Sequence, residues 1–386
     1  MRPWFIAVVL AGAGRAAADP LVLRADALTT TASPAGLLTL SADGEPGPGL
    51  TAEAVVWTGS AGDRGHGDVL VMVLGAHTAD RRASVRLGRF VAAVGALRPV
   101  QLDGVAGRVH APLRLEAEVF GGVPVVLGLT TSRAWSWIAG GRVARQIGDS
   151  GSIGVAYAQQ RDDGRLVSEE VGVDGGAALT ARSDLGARLA YDLANPGVAE
   201  LSASASYRRK AVRTELYAGY RAASHLLPAT SLFTVLGDVP AERAGAVTTW
   251  RAAPRLDVIA DLGARLVDHD LAPAATLRAR LRLDDRGTSA RTAELRRDGD
   301  GDAGWTGARG AARIALPHAL AFSTELELVV PDRDRGLGTV WPWGLAALAW
   351  DDGTWQAAVA IEASASPTDR RRIDALAQLG RRWGAR

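Results

Sequence analysis

Histidines and carboxylates are the side chains of this 386-residue chain best suited to acid–base or metal chemistry. The histidines are scattered without ligand-like spacing, at His66, His77, His110, His225, His269 and His318. Asp268-His269-Asp270 brings an imidazole beside carboxylates, as in hydrolytic sites, yet the same residues before Leu-Ala-Pro also make an ordinary turn. A catalytic site needs convergent partners, and no nucleophile, base and orienting group are recognisable together. We therefore predict that the chain is not an enzyme.

A calcium loop is the nearest approach to a metal motif. Asp298, Asp300 and Asp302 place carboxylates at alternate positions, as at the start of such a loop. The full pattern continues with glycine and has an acid at the twelfth position, where this chain has Ala303 and Arg309. A solvated acidic loop is the better interpretation. The chain has no cysteine, which excludes disulfides and thiolate metal sites, and we predict neither metal nor cofactor.

Charged residues also recur at every second position. Arg278, Arg280 and Arg282 alternate with leucine and alanine, and Glu325 and Glu327 alternate with leucine. Such rows could line a polar lumen, where rings of charge set ion selectivity. The solvated face of any half-buried strand would give the same pattern, and both interpretations stay open. These five residues are the candidate lumen-facing set.

The elements that position these residues follow a two-residue period. In 200–207, leucine, alanine and tyrosine alternate with glutamate and serine, and the alternation resumes in 212–221. Alternate side chains of a strand face opposite sides, so each segment has one apolar and one polar face. Segments of this kind recur at intervals of about 20 residues or less between Gly, Asp, Pro and Ser clusters, which predicts roughly 16 strands, within 14 to 18.

Three segments need a choice. Residues 255–266 fit a strand, but charges at Asp257, Asp261 and Arg265 also fit a helix; neighbouring strands favour the strand. The long stretch 222–243 suggests an additional short strand at 231–236. The end of the chain, from Ile373 to Trp383, fits a strand better than an amphipathic helix.

The first residues have the plan of a secretory signal peptide. Arg2 precedes an apolar run from Trp4 to Ala13, and Ala16-Ala17-Ala18 offers small residues for cleavage. The run is far shorter than the roughly 20 residues of a spanning helix. We predict a signal peptide at 1–18 and one domain at 19–386. Loss of the leader removes two of the 44 basic residues and leaves a neutral chain with 42 acids, which does not suggest nucleic-acid binding.

The alternating final segment with its aromatic residue near the end resembles the closing strand of Gram-negative outer-membrane β-barrels. It departs from that pattern at Arg381, which occupies an apolar position, and in the residues after Trp383. The segments 85–89 and 101–105 also resemble adjacent strands of porin-like barrels. The resemblance is to the architecture and names no member. It implies a transmembrane antiparallel up-and-down β-barrel, outer-membrane lipid as surroundings, and contact with the barrel-insertion machinery.

Tryptophan near predicted strand ends agrees with this expectation. Aromatic residues form belts at both membrane interfaces of barrels, although tryptophan also packs ordinary hairpins. The candidate girdle comprises Trp341, Trp343, Trp350, Trp355 and Trp383.

The expected function is passive diffusion of small hydrophilic solutes through a porin-like barrel in the outer membrane of a Gram-negative bacterium, reached by signal-peptide export. The alternatives are a non-conducting structural, adhesion or assembly barrel and a soluble secreted β-protein. A barrel scaffold alone does not imply transport.

Overall fold

The computed structural model describes residues 22–31, 35–61, 64–125, 136–222, 241–267, 270–299, 304–333, 339–365 and 371–384. The leader at 1–18 and the suspected strand at 231–236 lie outside these residues. The described chain forms a single antiparallel sheet in which each strand pairs with its neighbours in sequence. One short 3₁₀ helix, Pro112–Arg114, is present, and among the described residues no helix is long and apolar enough to cross a membrane.

The described strands number 22. In chain order they are β1 (Val22–Thr30), β2 (Ala35–Gly47), β3 (Leu50–Ala61), β4 (Arg64–His77), β5 (Ala83–Ala92), β6 (Val100–Ala111), β7 (Leu115–Pro124), β8 (Trp137–Ile147), β9 (Gly151–Asp162), β10 (Arg165–Thr180), β11 (Ser183–Asp192), β12 (Gly197–Arg209), β13 (Val212–Arg221), β14 (Ala241–Ala253), β15 (Leu256–Val267), β16 (Asp270–Arg282), β17 (Ala290–Asp298), β18 (Trp305–Ala315), β19 (Leu320–Pro331), β20 (Trp341–Asp351), β21 (Trp355–Ser364) and β22 (Arg372–Trp383).

Pairing between the first and last strands closes the sheet. Leu23 of β1 lies opposite Trp383 of β22, and Thr30 lies opposite Leu376. Closure leaves no edge strand with unpaired backbone groups, which is the condition for a sheet to stand in hydrocarbon. The predicted all-β antiparallel barrel is therefore confirmed.

The strand number is a correction, since about 16 were expected. Several turns contain two residues without the usual Gly or Asn signal, for example Ala181-Arg182 and Pro254-Arg255. Two strands joined in this way look like one longer segment in the sequence. The strand assignments that competed with helices are confirmed, because 256–267 is β15 and 372–383 is β22.

The two ends of the barrel differ in the length of their connections. At one end, which we call the short-turn end, β1 begins, β22 ends, and connections such as 48–49, 210–211 and 352–354 have two or three residues. At the opposite, long-loop end lie the connections 93–99, 125–136 and 222–240. Bacterial outer-membrane barrels have short periplasmic turns and longer extracellular loops.

Candidate channel lining

The strands present two unlike faces. One face carries large apolar side chains that are unusually exposed, among them Leu87 (62%), Val119 (62%), Leu262 (61%) and Leu326 (67%). The other face carries ion pairs and crowded residues such as Glu294 (4%). Side chains converge on the concave side of a closed sheet and diverge on the convex side. We therefore assign the crowded, ion-paired face to the lumen and call the other the outer face.

The three candidate arginines of β16 lie together on the ion-paired face. Arg278 donates to Glu294 of β17, directly opposite it, and Arg282 lies 3.6 Å from Asp257 of β15. Arg280 is exposed, and among the described residues no carboxylate lies within ion-pair distance of it. Of the three, Arg280 is therefore the one that adds an uncompensated charge.

The candidate glutamates share the same face on β19, three strands along the ring from β16. Glu325 pairs with Arg309 of β18 at 2.6 Å, and Glu327 pairs with Arg296 of β17. The sequence therefore found five residues of one continuous wall, although it could not show how their charges combine.

Glu294 is the residue that sequence reasoning missed. Its side chain is 2% exposed, accepts a hydrogen bond from Arg278 and forms an ion pair with Arg296, whose Nε lies 2.9 Å away. Arg296 in turn bonds to Glu327, so one buried carboxylate links β16, β17 and β19. A buried carboxylate must be paired, and two arginines satisfy this one. Only the register between β16 and β17 reveals the cluster.

Two acids form the opposite charge on another wall. Asp43 of β2 and Glu53 of β3 lie directly opposite each other on the ion-paired face, and both are exposed. No basic residue among the described chain lies within ion-pair distance of either. Eight strands separate β16 from β3 in the shorter direction around the ring. The lumen thus carries an uncompensated positive position, Arg280, and a negative pair far from it.

The connection between β5 and β6 turns into the lumen. In 93–99, Val94, Ala96 and Leu97 are 8%, 2% and 6% exposed, and they pack with Phe90 and Leu102 on the ion-paired face. An apolar loop is stable only where it is covered, because exposed apolar surface costs free energy. The segment therefore covers the wall formed by β5 to β10.

A second ion pair holds this inward segment. Arg142 of β8 donates from Nε to Asp174 of β10 at 2.9 Å, passing over Gly154 of β9. Gly95 of the segment lies on the other side of the pair, with a positive φ of 57°. A β-carbon at Gly95 would lie 2.5 Å from the Asp174 carboxylate, and one at Gly154 would lie 2.6 Å from the Arg142 Nε. Glycine at both positions makes room for the pair.

The register divides the candidate girdle. Trp350, Trp355 and Trp383 lie on the outer face near the short-turn end, as does Trp250. Trp341 and Trp343 lie on the ion-paired face, opposite residues 329 and 327, so the five do not form one belt. The Trp343 indole donates to Glu362 of β21 at 2.7 Å. This polar partner on the neighbouring strand explains the inward position.

The remaining sequence candidates do not form a site in the described chain. Asp268 and His269 lie outside the described residues, as do 300–303 of the acidic loop. Asp298 accepts a 3.5 Å hydrogen bond from Arg265. Within the described ranges, no three His, Asp or Glu side chains are grouped so that they could hold a metal ion.

Comparisons with known proteins give a likeness in fold. No protein-family model matches the chain, and no curated protein matches its sequence. Solved structures with a similar fold include the translocation pore of the P pilus usher PapC, with a TM-score of 0.54 and 9% identity over 94% of this chain and 99% of that one. The E. coli P pilus tip assembly intermediate PapC-PapD-PapK-PapG gives 0.58 and 11% over 95% of this chain and 61% of that one.

The FrpB iron transporter of Neisseria meningitidis, in its apoprotein form, gives 0.56 and 9% over 95% of this chain and 81% of that one. The chain thus has the fold of an outer-membrane β-barrel without resembling a particular member. Identities of 9–11% support the fold and not a shared activity.

Proposed function

We propose that the protein is an outer-membrane pore through which small hydrophilic solutes diffuse passively. The observation that supports it is the division of the strands into an apolar outer face and an ion-paired inner face. That division matches a barrel with lipid outside and water inside. We also propose export through a leader at 1–18, a single domain at 19–386, and the long-loop end facing the exterior.

The width of the barrel supports an aqueous lumen. A circular ring of 22 strands about 4.8 Å apart and tilted by about 40° has a backbone radius of roughly 22 Å. Barrels of 16–18 strands already enclose a water-filled channel. The inward segment 93–99 lies against one wall, and the extensive contacts between described strands are those between ring neighbours.

Charge in the lumen would filter solutes weakly. Most inner charges are paired with each other, as at Arg278–Glu294 and Arg309–Glu325. Arg280 on one wall and the pair Asp43 and Glu53 on another are among the exposed inner charges without an ion-pair partner in the described chain, so they can interact with permeating ions. We propose modest ion selectivity set by these positions.

A second candidate function follows from the same width. Transporters with 22 strands have a plugged lumen, so a barrel of this size could hold another protein segment and conduct little. This is the non-conducting structural, adhesion or assembly barrel. Pilus subunits and iron, named for the similar barrels, are not assigned to this chain.

Fractionation followed by conductance measurement tests the proposal. The pore predicts recovery in the outer membrane, a mobility shift on boiling that marks a closed barrel, and steady conductance in planar bilayers. Recovery and a shift without conductance would favour the non-conducting barrel. Recovery in the soluble fraction without a shift would overturn both and favour a secreted β-protein.

A further inference from the structure

Arg381 is the charged residue that interrupts the apolar positions of the last strand. It lies on the outer face of β22, opposite Trp355 of β21, and it is exposed. A lone guanidinium on this face would be costly in hydrocarbon, because a charged side chain at the bilayer midplane of a barrel costs about 2–4 kcal/mol. Its position near the short-turn end puts it at the membrane interface, where the cost falls.

Two indoles hold the guanidinium in place. Its carbon lies 4.7 Å from the ring centre of Trp355 and 4.9 Å from that of Trp383, within the range of a cation–π contact. Neither contact supplies a hydrogen-bond acceptor to the N–H groups of Arg381. Among the described residues, no carboxylate lies within ion-pair distance of Arg381.

Three outer arginines near the long-loop end have partners within the protein. Arg89 lies 2.7 Å from Asp103, Arg297 lies 2.5 Å from Asp332, and Arg161 donates to the Gln159 side chain and the Gly164 carbonyl. At the short-turn end, Arg145 and Arg291 are exposed on the outer face, like Arg381, and no carboxylate of the described chain pairs with any of the three. The guanidinium of Arg381 is therefore accessible to an acceptor from outside the protein.

A shallow apolar groove lies on the outer face further towards the middle of the barrel, beyond the exposed Leu379 that follows Arg381. Ala377 and Ala375 of β22 line it, and the larger Val359 and Ile361 stand beside them on β21. Small residues between larger exposed ones make a shallow channel. From position 381 to 375 the strand rises about 20 Å, or roughly 15 Å across the bilayer after tilt, which is about half of the hydrocarbon thickness.

We propose that this surface binds one phospholipid of the leaflet at the short-turn end. Arg381 donates to the phosphate, Trp355 and Trp383 flank the headgroup, and an acyl chain lies along Ala375 and Ala377. Arginine matches a phosphate with paired N–H donors, which explains why it stands at an apolar position. The inference rests on the proposed membrane insertion, but not on conduction.

Binding to the purified, delipidated full-length protein tests the proposal by native mass spectrometry. The probes are dipalmitoyl phosphatidylglycerol, dipalmitoylglycerol, which lacks the phosphate, and glycerol phosphate, which lacks the chains. We expect saturable binding of the first probe only. Arg381→Gln should weaken it at least about tenfold, since a charge-assisted hydrogen bond is lost, and Arg381→Lys should retain part of it.

Arg382→Gln is the matched control. Arg382 is the next residue of the same strand, is exposed and carries the same charge, but lies on the inner face opposite Arg24. It should bind phosphatidylglycerol like the unchanged protein. Equal affinity of Arg381→Gln and Arg382→Gln would overturn the proposal, as would equal binding of the two dipalmitoyl lipids.

A second variant keeps the proposal testable if Arg381→Gln does not fold. Ala377→Phe retains the arginine and fills the groove, so it should also weaken binding, and unchanged binding would contradict the acyl-chain path. The mobility shift on boiling reports folding of each variant. A protein that shifts and enters membranes yet ignores Arg381 refutes this inference alone, whereas a protein that stays soluble refutes the proposed function.

Discussion

Arg142 and Asp174 meet across an intervening strand, with the arginine Nε 2.9 Å from the Asp174 Oδ1. The side chains can span β9 because Gly154 has no β-carbon between them. The side chains of Arg142 and Asp174 are only 16% and 18% exposed, because the segment 93–99 covers them. The pair thus joins the wall of the barrel to the element that narrows its lumen.

Substitution of Gly154 tests this arrangement. A methyl group there would lie within 2.7 Å of the guanidinium, so Gly154→Ala should displace the pair and cost about 2 kcal/mol by overpacking. Asp174→Ala, which leaves the arginine unpaired, should cost roughly 3 kcal/mol. The temperature at which the folded band disappears on a gel measures both.

Gly310→Ala is the control for these variants. Gly310 lies on the outer face, and a β-carbon added there would have no heavy atom within 4 Å, so the effect should stay within about 0.5 kcal/mol. Comparable losses in Gly154→Ala and Gly310→Ala would contradict the role of the pair.

Arg280 should govern anion preference in the pore. Arg280→Gln removes a charge without a carboxylate partner, and the permeability for anions relative to cations should fall. The effect should be small at about 0.1 M salt, where the Debye length is roughly 10 Å, and larger at about 0.01 M. Reversal potentials in a salt gradient measure it.

Asp43→Asn is the opposite control and should shift the reversal potential towards anions. Arg278→Gln should change selectivity differently and lower stability, because Glu294 would keep only Arg296 as its partner. A pore in which Arg280→Gln leaves the potential unchanged at low salt would show that this wall does not face the ion path.

Fluorescence quenching by brominated lipids should separate the tryptophans by face. Replacing Trp350 with Phe should reduce the quenched fraction, because this indole lies on the outer face. Replacing Trp343 should not, because its indole bonds to Glu362 inside. If brominated acyl chains quench Trp343 as strongly as Trp350, the assignment of the two faces is refuted.

Acid should loosen the connection 283–289 at the short-turn end. Desolvation alone would raise the pKa of Asp284, but hydrogen bonds from the Thr288 hydroxyl and amide and from the Ser289 amide lower its pKa to about 2. A depressed pKa stabilises the fold above pH 4, and this contribution is lost as the pH falls from about 4 towards 2.

Amide exchange of Thr288 and Ser289 measures this change. Protection of both amides, relative to their intrinsic exchange rates, should fall over that pH interval in the unchanged protein, and in Asp284→Ala it should be low throughout. Protection that persists unchanged to pH 2 would contradict the role of the carboxylate.

The period-two pattern predicted much of the fold because it reflects local geometry. The serine and leucine rows of 200–207 do lie on opposite faces, as residues 202 and 201 show by their pairing with Arg188 and Leu189. The same parity put Arg278, Arg280 and Arg282 on one face. What each strand shows alone, the sequence can reveal.

Pairing across strands was beyond the sequence. Glu294 became visible only once β16 and β17 were in register, and Trp343 faced inward because of Glu362 on the next strand. The inward segment had left a signal, since Ala-Val-Gly-Ala-Leu at 93–97 is too apolar for an ordinary exposed connection.

The pairing of Leu23 with Trp383 has a consequence for how the chain can be rearranged. A ring of neighbouring strands has no intrinsic first member, so a short linker could join β22 to β1 without disturbing the register. New termini could then open at a two-residue connection such as 210–211. Circularly permuted versions of the protein should therefore assemble the same ring from a different starting strand.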